Sequence, residues 1–577
     1  MRLTLRRKRT LGIRKFDSIL LASALEMIVG VLISISDTAI TGHVIGMNGL
    51  SAMNAISPLL GFTIFTEGLF SVGTSMLYAK RSGEYEQKKA DQVFGMGLML
   101  SCITGVLTFI AVSVMLRFYL GTLGLSAQIT QYVIVFMGIL RFDLMLQPVY
   151  ELVNTMITTD GDEYLGMASN IAAPLVNIVL SIILGRMYGI AGIAMGSVIS
   201  TVIAFAILGL HFLSKRNSLR PAWYFSWQDF KAMCLFGWND SAMFFVLPFL
   251  FYVITRLMIA CWGESYLPVL SVLYAVIEMT SVFESTGEAM RPILPIYIGD
   301  KNVPAVLGLT KHSRTVNLIL GFAFGGVLAV GAPWIPLAFD ITDPALAQIC
   351  IGGMRIFAIA CPMLALMSLM NSYYLNTDKP GLAMLETILV QFLCPLVLAG
   401  MFIYFTSPEG LFVGYAASPY LAAVILFAYI RIRYGREGFP YYIEDNTLAL
   451  LDEGVELDRD GIRAFTDKAG IFLRDHKVDE HIVSAVELTS DTVLLFIKEK
   501  NPDDLVSAEC CLRIEPGRVY FSIWDSGEIF DITDAASGTD SFRSKVMARI
   551  IKERLIEKKH MTVTSFNRNA FQFSLEG

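Results

Sequence analysis

Asp37, in the apolar stretch Ser34-Ile35-Ser36-Asp37-Thr38, is the first residue whose type and setting could do chemistry. A carboxylate at membrane depth is costly to keep charged unless a proton, a cation or hydrogen-bond donors neutralise it, which is how a proton or sodium switch behaves. Asn177 and Ser181 lie four residues apart and so share one helix face. Ser197 follows a glycine-rich turn, Gly189 to Gly196, that lets helices approach closely. Carboxylate, amide and hydroxyl oxygens form a hard-donor set suited to sodium or to a proton network. Asn and Ser in apolar helices also serve simply to glue helices together, and both readings stay open. Further ionisable residues fall in apolar runs: Glu26, Glu67, Arg141, Asp143, Asp240, Arg256, Glu278, Glu284, Arg355 and Glu386. Glu278 and Glu284 stand out, because their spacing puts both near a central cavity if their helix lines it.

These residues need helices across a bilayer to position them. The chain has 577 residues, 54% hydrophobic and only 17% charged, with mean hydropathy +0.58. That is too apolar for a soluble protein of this length. Up to about residue 434 it reads as apolar runs long enough to cross the hydrocarbon core as helix. About twelve spans are expected, centred near residues 28, 63, 104, 144, 175, 201, 249, 277, 325, 361, 391 and 422. Basic residues cluster on one side of this topology, at Arg6 to Arg9, Lys80 to Lys89, Lys215 to Arg220, Arg291 to Arg314 and Arg431 to Arg436. The positive-inside rule makes that side cytoplasmic and, with an even number of spans, places both termini there. The acidic turn Asp160-Gly161-Asp162 falls on the same side and runs against the pattern.

The expected fold class is an all-α polytopic membrane protein of two pseudo-symmetric six-helix bundles, followed by a soluble α+β domain. The boundaries read as a basic arm (1–15), a first bundle (16–213), an aromatic linker (214–236), a second bundle (237–434), a linker (435–454) and the soluble domain (455–577). The aromatic linker, with Trp223, Tyr224 and Trp227, suits an interfacial helix. Polar turns after the fourth and tenth spans, Thr159-Asp160-Gly161 and Thr377-Asp378-Lys379-Pro380-Gly381, mark like places in the two halves. Paired halves place a solute path at their interface and allow alternating access by rocking.

Residues 440–577 hold 26 Asp+Glu against 17 Lys+Arg, so the tail is acidic, without a basic stripe, and nucleic acid is excluded as a partner. The cysteines form no CxxC motif, and only Cys510-Cys511 stands out as a pair to test for redox behaviour. In the tail, a helix over 479–498, strands around Pro516-Gly517, a basic helix over 541–558 and a closing hairpin turning at Asn567-Arg568-Asn569 are expected. No phosphate-binding P-loop occurs, which excludes a motor of the ABC type.

Three sets of residues carry a resemblance. Asp37-Thr38…Gly42, then Gly161-Asp162…Pro174…Asn177…Gly189-Ile190-Ala191-Gly192…Ser197, and then Gly287…Arg291-Pro292…Pro295…Tyr297…Gly299 resemble motifs of the multidrug and toxic compound extrusion (MATE) family of twelve-helix antiporters. The resemblance covers residues 16–434. It implies an amino-half cation site at Asp37, Asn177, Ser181 and Ser197. Many members carry Asp where Ser181 stands and Thr where Ser197 stands, and the missing second carboxylate favours proton over sodium coupling. The tail resembles the histidine-kinase-type ATP-binding fold in its anti-sigma serine kinase variant, through Glu487…Asp491 and Asp525-Ser526-Gly527…Asp531. That likeness implies catalytic and magnesium roles for Glu487 and Asp491 and adenine contact at Asp525 and Gly527. Asp491 replaces the usual Asn, and the phosphate lid is reduced to Ser537-Gly538-Thr539. By residue chemistry alone, Asp525-Ser526-Gly527 is an ordinary turn after a strand.

The expected function is a plasma-membrane secondary antiporter, not an enzyme, that exports organic cationic or amphipathic solutes in exchange for protons or sodium. Its partners are the small-molecule substrate, the lipid bilayer and a cytoplasmic protein reached through the tail. It requires no cofactor or metal beyond the coupling ion, and the tail is a degenerate binder of ATP or another nucleotide that regulates transport. The rivals are a membrane-tethered serine kinase and a lipid-linked saccharide flippase, the latter requiring a cationic central cavity.

Overall fold

The computed structural model describes residues 11–25, 27, 47–84, 86–123, 127–214, 217–241, 243–263, 266–338, 341, 343–377, 379–436, 438–439, 449–501, 506–527, 557–563 and 566–574. Asp37 and Glu26 lie outside these residues, as do Asp378, the lid residues 537–543 and the basic helix expected from 541 up to 556. Helix α1 covers 11–25. The first half continues with α2 (Met47–Gly83), α3 (Gln87–Leu123), α4 (Ala127–Asp160), α5 (Glu163–Tyr188) and α6 (Ile190–Gly209). The second half comprises α7 (Trp227–Ser241), α8 (Met243–Trp262), α9 (Leu267–Met279), α10 (Ser285–Met290), α11 (Leu294–Gly299), α12 (Val303–Gly331), α13 (Ile335–Ala338), α14 (Pro344–Phe357), α15 (Cys361–Asn376), α16 (Pro380–Ile388), α17 (Cys394–Phe405) and α18 (Gly410–Arg433).

Every expected span centre beyond the first falls within one of these helices or in the π-helical segment Leu389–Leu393 that joins α16 to α17. Among the described residues seven helices are long and apolar enough to cross a membrane, or eight if α14 and α15, bent by 49°, count as one. The first expected span centre lies outside the described residues, and α2, α8 and α9, which hold three further expected centres, are not among the helices counted. Large apolar side chains such as Phe118, Leu337 and Phe405 stay exposed on the outside of the bundle, as a lipid-facing surface requires. The aromatic linker has no regular secondary structure over 217–226, and α7 starts at Trp227.

Packing differs between the two ends of the bundle. At the end bearing the soluble domain, called here the tail side, one continuous apolar core takes residues from both halves: Phe70 to Ala79, Val93 to Met96, Leu152 to Ile157, Ala289 to Tyr297, Met367 to Leu375 and Leu426 to Ile430. Toward the far end each half has its own core. Val133, Phe136, Met137, Leu140, Ile193 and Ala194 belong to the first half, and Leu250, Ile254, Leu273, Met354 and Phe412 to the second.

The acidic turn after α4 is explained by its partners. Asp160 is buried and accepts hydrogen bonds from the Ser218 backbone N–H (3.0 Å) and the Ser218 hydroxyl, while His211 Nε2 lies 2.9 Å away. His211 Nδ1 lies 3.0 Å from Asp162, and Lys15 pairs with Glu163 and donates to the Gly161 carbonyl. The carboxylates on this side are therefore used to fasten α1 and the aromatic linker to the turn.

The soluble domain is a five-stranded antiparallel sheet in the order β1-β2-β3-β5-β4. Its strands are β1 (Ala449–Glu456), β2 (Ser507–Glu515), β3 (Arg518–Asp525), β4 (Glu557–Val563) and β5 (Phe566–Ser574), with α19 (Arg459–Asp475) and α20 (Glu480–Lys500) on one face. Ile462, Phe465, Ala469 and Leu473 form the apolar stripe of α19 and pack on Leu512, Ile514, Phe521 and Phe571. The sheet starts at Ala449, ahead of the expected boundary. Lys558 belongs to β4 and not to a helix, and Asn567-Arg568-Asn569 lie within β5 and not at a turn. Polar residues are tolerated there because partners meet them: Asn567 donates to Asp525 (3.1 Å) and Arg568 to the Ser82 carbonyl (2.9 Å). Cys510 and Cys511 are both free, and as strand neighbours they face opposite sides of the sheet, so they do not form a redox pair with each other.

Candidate functional site

Three of the four residues expected at the amino-half cation site converge. The close approach of α5 and α6 is set by Gly192 and Gly196: a Cβ on Gly192 would run into the backbone of Leu184, and one on Gly196 would sit 3.0 Å from Ser181 Oγ. Ser181 Oγ and Ser197 Oγ both donate to Asn177 Oδ1, at 3.1 and 3.3 Å. Both hydroxyl protons are thus committed to one amide oxygen, and the trio closes on itself as a clasp between the two helices.

The second half holds a cavity of about 140 Å³ lined by α8, the α9–α10 segment, α15, the α16–α17 segment and α18. Asn371 anchors its wall: its Nδ2 donates to Glu386 Oε2 (2.6 Å), Thr387 Oγ1 (2.8 Å) and the Ala383 carbonyl (3.0 Å). The wide π turn at Leu389–Leu393 follows directly and shifts the register between Glu386 and Pro395, both of which face the cavity. Glu284 lines the same space. Glu278 does not line it and is exposed, because the 3-10 segment Thr280–Glu284 breaks the single helix on which their spacing was read.

A second cavity, of about 320 Å³, lies between the halves. Glu67, Ser71 and Ser75 of α2 face Glu151, Asn154, Thr155 and Thr158 of α4, and Glu288, Arg291 and Pro292 close it from the other half. Glu288 and Arg291, paired at 2.9 Å, line both cavities. The walls of the two spaces hold the carboxyls Glu67, Glu151, Glu284, Glu288 and Glu386 and one basic residue, Arg291. A space so lined attracts cations and repels anions.

Glu151, Glu288 and Asn371 were not singled out in the sequence. Glu288 sits inside the Gly287…Arg291 motif, and the pairing of Glu151 with Thr155 one turn later was the available signal. Arg141 and Asp143 do not pair: Arg141 donates to Ser113 (3.2 Å) and lies over Phe109, whereas Asp143 is buried and accepts from Gln147 at 3.4 Å. Two residues apart on α4, they point in different directions.

In the soluble domain Asp525 is fully buried at the end of β3 and accepts from the Gly527 N–H (3.0 Å) and from Asn567. Burial pushes its carboxyl up to about 7 against the pull of those two donors. Glu487, on α20, pairs with Arg474 at 3.1 Å, and Asp491 follows one turn later on the same helix, half-buried. No group of residues fit to hold a metal ion occurs among the described residues.

The family model MatE matches residues 22–183. No curated protein sequence matches the chain. Among solved structures the chain is similar to a multidrug resistance MATE family transporter of the MOP superfamily in its outward-facing conformation, at 18% identity and a TM-score of 0.67. It is also similar to a MOP superfamily transporter from Pyrococcus furiosus Vc1 (DSM3638), for which a reversed polarity of the binding pocket was taken to suggest a different function, at 18% identity and a TM-score of 0.66. A third is a MATE crystallised with MaD5, at 17% identity and a TM-score of 0.66. In all three, 74% of this chain covers 98% of the other. These structures are spanned almost end to end, by a share of this chain close to the size of its helical bundle. Residues 22–183 thus carry the MatE pattern, and the multi-pass membrane part of the chain has the fold of the MATE structures.

Proposed function

We propose that the chain is a twelve-span secondary antiporter of the plasma membrane that exports organic cationic or amphipathic solutes in exchange for protons or sodium. The single observation that carries this reading is the pair of cavities sharing Glu288 and Arg291, with five carboxyls and one basic residue on their walls. A carboxyl in a low-dielectric space exchanges a proton for an organic cation by charge competition: whichever positive charge binds neutralises the site and excludes the other. Protons suit this chain better than sodium, because Ser181 stands where many family members carry a second carboxylate and the described members of the amino-half cluster offer only neutral oxygens. Asp37 completes that cluster in the family resemblance and is the second proton carrier in this reading. An acidic wall disfavours the lipid-linked saccharide flippase, whose phosphate-bearing cargo needs cations.

Both termini and the soluble domain are cytoplasmic in this reading, on the strength of the basic loops at the tail side. The soluble domain regulates transport and holds at most an adenine-like ring near Asp525 and Gly527. Asp525 is already engaged by Gly527 and Asn567, which speaks against a working kinase.

The test is uptake of a fluorescent lipophilic cation into proteoliposomes driven by an imposed pH gradient, in wild type, Glu386→Gln and Asp37→Asn. Gradient-driven uptake that falls at least tenfold in either variant supports the reading. Uptake indifferent to the gradient, or unaffected in both variants, removes it.

A further inference from the structure

The sheet of the soluble domain has two different faces. Ala508, Cys510, Leu512 and Ile514 of β2 and Val519, Phe521 and Ile523 of β3 pack under α19 and α20. The alternate residues, Glu509, Arg513, Ser522, Trp524 and Arg568, are polar or aromatic, as an outward face should be, yet each is no more than 5% exposed. They are buried because they dock on the tail side of the helical bundle.

The docking reaches both halves. On the second half, Asp300 at the end of α11 accepts from Tyr520 (3.1 Å) and Ser522 (3.2 Å), its carbonyl accepts from Arg513 (2.5 Å), and Arg568 lies 3.8 Å from its carboxylate. Tyr297 stacks on Trp524 at 4.7 Å, and Asn302 donates to Asp452 at 3.1 Å. On the first half, Arg568 donates to the Ser82 carbonyl at the end of α2. The start of α1 is held as well: Leu11 N–H donates to Glu509 (3.1 Å), and Arg14 donates to Ser507 (2.9 Å). Two sheet residues touch both halves: Glu509, which accepts from the Leu11 N–H and from the Tyr297 hydroxyl (3.3 Å), and Arg568, whose guanidinium also covers the Trp524 ring at 4.5 Å. Separating α2 from α11 at this end would pull Arg568 away from either Ser82 or Asp300 and leave a buried cation short of partners.

We infer that the soluble domain is a clamp that holds the tail-side ends of the two halves together, so that the bundle opens on that side only when the domain releases at least one half. The inference rests on the alternating-access reading above for its purpose and stands on its own contacts for its mechanism. It gives a transporter-like bundle a brake within its own chain. Binding of any ligand or partner that competes for the sheet face around Trp524 would raise the rate of tail-side opening.

The experiment is hydrogen exchange on the full chain in lipid nanodiscs, which reads opening without needing a transported substrate. One variant, Arg14→Cys with Ser507→Cys and the exposed Cys102 and Cys261 replaced by Ser, is bridged with a short reducible bis-thiol reagent. The other is Trp524→Ala. Bridging is expected to slow exchange of the tail-side core, residues 150–157 and 289–297, about tenfold, with recovery on reduction. Trp524→Ala is expected to speed the same segments about tenfold and leave residues 133–140 of the far-end core unchanged. A Trp524→Ala change that is absent or equal at both ends overturns the clamp; bridging without effect while Trp524→Ala acts means that the half released is the second, since Arg14 and Ser507 tie only the first. If the clamp behaves as stated while gradient-driven transport is absent, the antiporter reading fails and the clamp remains.

Discussion

The two ends of the helical bundle are built from the same kinds of residue and packed in opposite ways. On the tail side one apolar core runs across both halves, and a polar sheet face is docked over it. At the far end each half keeps its own core, and among the described residues no buried apolar cluster joins them. Alternating access needs a difference of this kind, because rocking two rigid bodies exchanges one closed end for the other. The state described here is closed on the tail side. The difference also shows where closure is stabilised: partly by apolar burial common to both halves, partly by polar contacts, some direct between the halves (Asp17 with His312 at 2.7 Å, Arg81 with Asp229 at 3.8 Å) and some through the soluble domain.

The largest effect on this asymmetry should come from Asp300→Ala. It removes the buried carboxylate that faces Arg568 and accepts from Tyr520 and Ser522, and docking should lose about 3–5 kcal/mol, read as an earlier denaturant midpoint for the soluble domain. An unchanged midpoint would mean that the charged contacts do not hold the closed end.

Next is the pH dependence of the docked domain itself. Asp525 has its carboxyl raised to about 7 in the folded state from an ordinary 3.8. The stability it contributes is therefore fully present below about pH 4 and is lost as pH rises through 7. Asp525→Asn should flatten this dependence and recover on the order of 2–4 kcal/mol at pH 8. Parallel pH profiles for the two proteins would contradict the burial argument.

Between the ends, Glu386→Gln removes a charge that Asn371 supports, and transport should fall by about 1.5–3 kcal/mol in activation terms, roughly ten- to a hundredfold, with the denaturant midpoint nearly unchanged. A loss of stability with normal transport would assign Glu386 to packing. The smallest effect is expected within one half. Asn177→Ala breaks two hydroxyl bonds, one within α5 and one from α6, and should cost about 1 kcal/mol of stability without altering tail-side hydrogen exchange.

Much of this was legible in the chain. Apolar runs located the helices, and the oxygen-bearing residues Asn177, Ser181 and Ser197 were recognisable because helical spacing and a glycine-rich turn bring them together. Glu278 misled, since a 3-10 break between it and Glu284 is invisible in residue spacing. Glu151 was passed over although it now faces the central cavity, because a lone carboxylate late in a span reads as an aqueous helix end. The acidic turn at Asp160 looked like an exception to charge bias, and only the fold shows that His211, Ser218 and Lys15 answer it. Arg568 was placed at a hairpin turn because a polar triplet in a terminal strand normally faces water. Its burial depends on a docking partner some 270 or more residues distant in sequence, which local pattern cannot reveal.

The most direct measurement follows both ends at once. Spin labels at Lys88 and Lys311 report the tail side, and labels at Tyr188 and Tyr404 report the far end, each pair with one label per half. Adding protons or a lipophilic cation to the protein in nanodiscs should lengthen one distance while shortening the other. Distances that stay fixed under every condition, or that lengthen and shorten together, would contradict alternating access by this chain.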